Sequence, residues 1–145
     1  MNKLRLVPLA CLIAAPVALH GSVIDISDEG EYESIIKKDM PTLVEFAASW
    51  CGVCNRIKPA FEEVAGDNEF NNVTFVRVDI EQAPAIRKKN GIVGVPSFIF
   101  AQGNTQRKES VGVKNIKSFK EDLRNDLRTV FKFPDPRPDE EEEDA

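Results

Sequence analysis

Histidine occurs once and cysteine three times in these 145 residues. A structural zinc site takes four ligands, drawn from cysteine and histidine. Cys51 and Cys54 could supply half of such a set. The other candidates are Cys11 and His20, both in or beside an apolar N-terminal segment. A zinc centre is therefore disfavoured. An excess of positive charge is also missing: the net charge is −5, and no basic patch suggests nucleic acid. Residues 134–145 carry seven acids and one base, which leaves the rest of the chain close to neutral, at +1. There are no internal repeats. The one long apolar run covers residues 6–19. Its fourteen residues would reach about 21 Å as a helix, short of a bilayer core of about 30 Å.

That run reads instead as a signal peptide over residues 1–21. Lys3 and Arg5 precede it, and small residues follow at 18–22. Cleavage after Ala18 and cleavage after Gly21 both fit. An uncleaved membrane anchor is the competing reading. Lipid attachment at Cys11 is disfavoured, because Pro8 stands where a bulky apolar residue is wanted. Removal of the segment would leave Cys51 and Cys54 as the cysteines of the mature chain. Export, to the periplasm or out of the cell, would place them where disulfides form and persist.

Length and composition leave room for one domain, expected over residues 22–133. A short β-like run at 22–26 comes first. A helix at 28–38 follows, with Ser27 read as its N-cap and Tyr32, Ile35 and Ile36 on one face. Residues 41–47 are nearly all apolar, as in a strand buried on both faces. A helix over 51–64 contains Pro59, which is expected to kink it. A second buried strand at 73–79 leads to a short helix at 84–89, stopped by Asn90-Gly91. Strands at 97–101 and 107–111 flank a turn at Gln102-Gly103-Asn104. Asn115 is read as the cap of a last helix, with the stripe Ile116, Phe119, Leu123, Leu127 and Val130. The order βαβαβαββα predicts an α/β fold, with one mixed central sheet and helices on both faces. After Phe133 prolines give way to acids, so residues 134–145 are expected to be a disordered, solvating tail.

Three features carry chemistry. The first is Trp50-Cys51-Gly52-Val53-Cys54. A strand that delivers a thiol to the first turn of a helix is a common design for thiol–disulfide exchange. The helix N-terminus offers free N–H groups and a positive dipole end to a thiolate at Cys51. Cys54, one turn on, lies within reach to close a disulfide. A purely structural bridge is disfavoured, because so short a loop gains little chain-entropy stabilisation. The second feature is Glu45, alone among Thr42, Leu43, Val44, Phe46 and Ala47. Burial raises the pKa of an unpaired carboxyl toward the range useful for proton transfer. A solvent-facing Glu on an edge strand is the plainer reading. The third feature is Gly91-Ile92-Val93-Gly94-Val95-Pro96-Ser97, in which proline opens an apolar strand. A strand-start proline accounts for it, and a cis bond would expose neighbouring main-chain groups.

Together these residues resemble the thioredoxin family across roughly residues 22–131. LVEFAASWCGVC is similar to that family's active-site strand and loop, KKNGIVGVPSFIFAQG to its cis-proline segment, and VGVKN to its last loop. The resemblance implies the thioredoxin fold and a disulfide reductase. It makes Cys51 the attacking nucleophile and Cys54 the resolving cysteine. Glu45 takes the place of a buried Asp that exchanges a proton with Cys54. Pro96 becomes the cis-proline and Pro59 the helix kink, and Arg77 stands where the family often has Lys. Trp50, Val95, Pro96 and Gly112 are expected to form a shallow substrate groove. No cofactor or metal is implied, because the electrons reside in the cysteine pair. The expected partners are disulfide-containing proteins and a redox protein that recharges the pair, with the chain acting as a monomer. Membrane contact is expected only through an uncleaved signal segment.

Two departures are visible. Val53 replaces the proline of C-G-P-C, and Glu45 is one methylene longer than Asp. Related oxidases and isomerases often place His between the cysteines, and Val53 offers neither its charge nor its hydrogen bonds. The reductase reading is therefore preferred. An exported oxidase or isomerase is the alternative, and a binding module that uses the fold without catalysis is the reading from another class.

Overall fold

The computed structural model describes residues 21–133. The expected signal segment up to residue 20 and the tail from 134 lie outside the described residues. Nine main elements follow one another: β1 (Ile24–Ile26), α1 (Glu29–Ile36), β2 (Pro41–Ala47), α2 (Gly52–Ala65), β3 (Thr74–Asp79), α3 (Pro84–Lys89), β4 (Ser97–Gln102), β5 (Thr105–Val111) and α4 (Phe119–Phe131). A 3-10 turn at Asn68–Phe70, not expected from the sequence, buries Phe70 beneath α4.

The five strands form one sheet in the order β1-β3-β2-β4-β5. β3 runs parallel to β1 and β2, while β4 is antiparallel to both β2 and β5. This is the mixed sheet expected from the element order. Side-chain alternation along the strands divides the core in two. Val44, Phe46, Val76, Val78 and Ile99 face Tyr32 of α1 and Ile86 of α3. Leu43, Phe75, Phe98 and Phe100 face Ile57, Phe61 and Val64 of α2 and Phe119, Leu123 and Leu127 of α4. The second layer is rich in rings, with Phe61 edge-on to Phe75 at 5.7 Å between centroids. Each fully buried side chain of this size stabilises the fold by about 1.5–3 kcal/mol.

The boundaries differ from expectation where polar residues stand in tandem. Asp28, not Ser27, caps α1: its Oδ1 accepts the Glu31 N–H at 2.8 Å. α4 begins at Phe119, because Asn115 organises a turn before the helix, with its Oδ1 accepting the Lys117 N–H at 2.9 Å. Ile116 still packs against the α2–α4 layer from that turn. α2 runs through Pro59, which has no N–H to offer the preceding turn.

Candidate redox site

β2 is the middle strand of five, and both of its flanks are paired. Its last residues therefore end inside the molecule, and Ala47 and Ala48 are buried. The chain then turns through Ser49 and Trp50 and enters α2 at Cys51. Cys51 is the N-cap of α2, with extended backbone, and its Sγ accepts the Cys54 N–H at 3.2 Å. Cys51 and Cys54 form a disulfide, with Cα atoms 5.3 Å apart. Both are buried in the layer beneath α1 and α3, and Val53 and Val95 pack against the same layer. The sulfurs thus sit where the first N–H groups of a fourteen-residue helix converge, an environment that favours a thiolate on reduction.

Of the expected groove residues, Val95 packs against the layer that holds the disulfide. The Val95–Pro96 bond is cis. The Gly112 N–H donates to the Pro96 carbonyl at 2.8 Å, which ties the loop after β5 to the start of β4. Gly112 has φ +78°, a conformation glycine adopts readily. Pro96 is buried and Val95 half-buried. Trp50, at 65% exposure, lies on the surface next to Cys51, and its indole N–H donates to Glu81 Oε1 at 3.0 Å. Two further apolar side chains, Val93 and Val111, are exposed at 87% and 59%. Val93 lies two residues before Val95 of the cis bond, and Val111 pairs in register with Ser97. Sequence reading did not single out Val111 or Glu81, and named Val93 only as part of the segment at 91–97. For the valines a signal existed, since each borders a glycine, Gly94 and Gly112. Glu81 lies 31 residues from Trp50 in the chain and carries no comparable mark.

Glu45 is not on an edge. Its residue pairs with Arg77 of β3 and Phe98 of β4, and it is fully buried. Arg77 Nε donates to Glu45 Oε2 at 2.8 Å, while Oε1 has no hydrogen-bond partner among the described residues. Burial pushes the Glu45 carboxyl above its ordinary range, and the Arg77 charge and hydrogen bond draw it back only in part. Glu45 and Cys54 line one cleft of about 320 Å³, together with Ser27, Asn55, Lys58, Asp79 and Gln82. This space is large enough to hold water. A carboxyl of raised proton affinity and a thiol on one cleft can exchange a proton. No group of three or more His, Cys, Asp or Glu side chains is arranged to hold a metal among the described residues.

Comparison with known proteins agrees with this geometry. The family model described as Thioredoxin matches residues 23–125. The chain is 35% identical over 92 residues to Thioredoxin-1 of Schizosaccharomyces pombe, covering 63% of this chain and 87% of that one. It is 30% identical over 103 residues to a thioredoxin of Rickettsia bellii, covering 71% of this chain and 97% of that one. Among solved structures, the thioredoxin of Malassezia sympodialis superposes with a TM-score of 0.68 at 26% identity, covering 76% and 91% of the two chains. With its cysteine pair at the head of α2 and a matching sheet, the chain belongs to the thioredoxin family of disulfide oxidoreductases.

Proposed function

We propose that the protein reduces disulfides in other proteins, outside the cytoplasm, by cycling Cys51 and Cys54 between dithiol and disulfide. The observation that carries this reading is the disulfide at the N-cap of α2 above a cleft shared by Cys54 and Glu45. In the first step the Cys51 thiolate attacks one sulfur of a substrate disulfide. The substrate S–S bond breaks and its other sulfur leaves as a thiolate, which takes up a proton. A mixed disulfide now joins Cys51 to the substrate. Cys54 passes its proton to Glu45 and attacks Cys51 Sγ. The second substrate sulfur departs and is protonated. Two electrons have moved to the substrate, and the cysteine pair is left oxidised. A dithiol donor protein restores it.

The rim of Trp50, Val95, Pro96 and Gly112, widened by Val93 and Val111, gives an extended substrate an apolar bed beside the sulfurs. Main-chain groups at Val95 are available to pair with such a segment. The export part of the proposal is supported by Lys3 and Arg5 ahead of the apolar run at 6–19. The purified protein, supplied with dithiothreitol, is expected to reduce insulin disulfides, and Cys51→Ser is expected to abolish this. Equal turnover by Cys51→Ser would refute the mechanism.

A further inference from the structure

Glu45 and Arg77 form a pair that leaves part of each group unused. A guanidinium can close a two-bond fork on a carboxylate through Nε and Nη2, which share one edge. Here Nε alone bonds Glu45, and Arg77 Nη2 and Glu45 Oε1 are both buried with no hydrogen-bond partner among the described residues. The other edge of the guanidinium is engaged elsewhere. Nη1 donates to Glu62 Oε1 at 3.3 Å and lies 4.0 Å from Asp25 Oδ1. The guanidinium carbon stands 5.4 Å from the centre of the Phe61 ring, which supports its flat face. The Arg77 side chain is 12% exposed and that of Glu62 is 48% exposed, so a surface carboxylate of α2 holds a largely buried cation.

We propose that Glu62 is a positioning residue for the exchange reaction: by holding Nη1 of Arg77 it keeps the fork open and leaves Oε1 of Glu45 free to take the Cys54 proton. The inference rests on the reading of Glu45 as that proton acceptor. The step moves one proton and no electrons: the Cys54 S–H bond breaks, an O–H bond forms at Oε1, and a thiolate and a neutral carboxyl result. The charged groups around Glu45 are Arg77 and Asp79 of β3, Asp25 of β1, and Glu62 and Lys58 of α2. Glu62 and Asp25 raise the proton affinity of Glu45, and Arg77 lowers it. With Nη1 released, the guanidinium can turn until Nη2 reaches Oε1. The closed fork would favour the carboxylate and make Glu45 a weaker acceptor.

The test reads Glu45 directly, by carbon-13 NMR titration of its carboxyl in the full-length oxidised protein. Glu62→Ala is expected to lower the Glu45 midpoint by about one pH unit. Loss of the Glu62 charge would itself lower the midpoint, so the measurement is repeated with Arg77→Lys, where no fork can form. There the shift caused by Glu62→Ala is expected to fall to less than half. Equal shifts in the two backgrounds, or no shift in the first, would overturn the proposal. The pH limb of insulin reduction should move in the same direction as the midpoint. Unchanged turnover by Glu45→Gln would separately refute the proton-acceptor reading, which the titration does not touch.

Discussion

Glu45 is a buried carboxyl whose burial opposes stability and whose proposed role is to take a proton. Its carboxyl is fully buried, and its folded pKa is raised above the ordinary value of 4.5, first by burial. A raised folded value means that the group's contribution to stability is full below the unfolded value and is lost as pH rises through the folded one. Glu45→Gln carries no charge at any pH, and its side-chain oxygen can still accept from Arg77. We expect it to melt higher than the native chain at pH 7, with the difference closing as pH falls toward 4.5. Thermal unfolding at several pH values checks this. Turnover should fall on the order of a hundredfold, as for loss of a general acid–base group. The burial of Glu45 was legible because one acid stood in the apolar run that leads to the C-x-x-C. Glu62 and Glu81 were not legible. They meet Arg77 and Trp50 across 15 and 31 residues, and no local pattern records such contacts.

At the scale of elements, apolar periodicity and the turn residues located all nine strands and helices, because their faces pack on a single sheet. What periodicity does not encode is which of several adjacent polar residues takes a cap. Ser27 and Asp28 compete at α1, and Asp28 wins through its bond to Glu31. The turn at Asn68–Phe70 was missed because it is one turn long, too short for a repeat. The layer that holds the disulfide has its own tether between helices: Tyr32 of α1 donates through its hydroxyl to Asn90 Oδ1, after α3, at 3.0 Å. Tyr32→Phe is expected to cost about 1 kcal/mol in denaturant unfolding, the usual loss for one hydrogen bond. Burial pushes the Tyr32 phenol up to about 12 from 10.0. Its contribution is therefore present below pH 10 and fades as pH rises toward about 12. The native chain should lose stability across that window, and Tyr32→Phe should lose less. Denaturant midpoints measured from pH 9 to pH 11.5 test the sign.

At the scale of the whole molecule, strand order and family agree, and two properties extend past them: where the protein works and which way its electrons flow. If residues 1–21 direct export, the full chain expressed in a Gram-negative host should appear in the periplasm. Its intact mass should match a start at Leu19 or Ser22. Recovery of the uncleaved chain in the cytosol would contradict export. Direction is set by how far the fold stabilises the Cys51 thiolate relative to the disulfide. The N-terminus of α2 favours the thiolate, and Val53 adds no charge or hydrogen bond to strengthen that effect. The potential is most direct to read in a redox titration of Cys51 and Cys54 against glutathione or dithiothreitol buffers. A value well below about −200 mV is expected of a reductase, whereas a value near about −120 mV, the range of a strong oxidant, would contradict it.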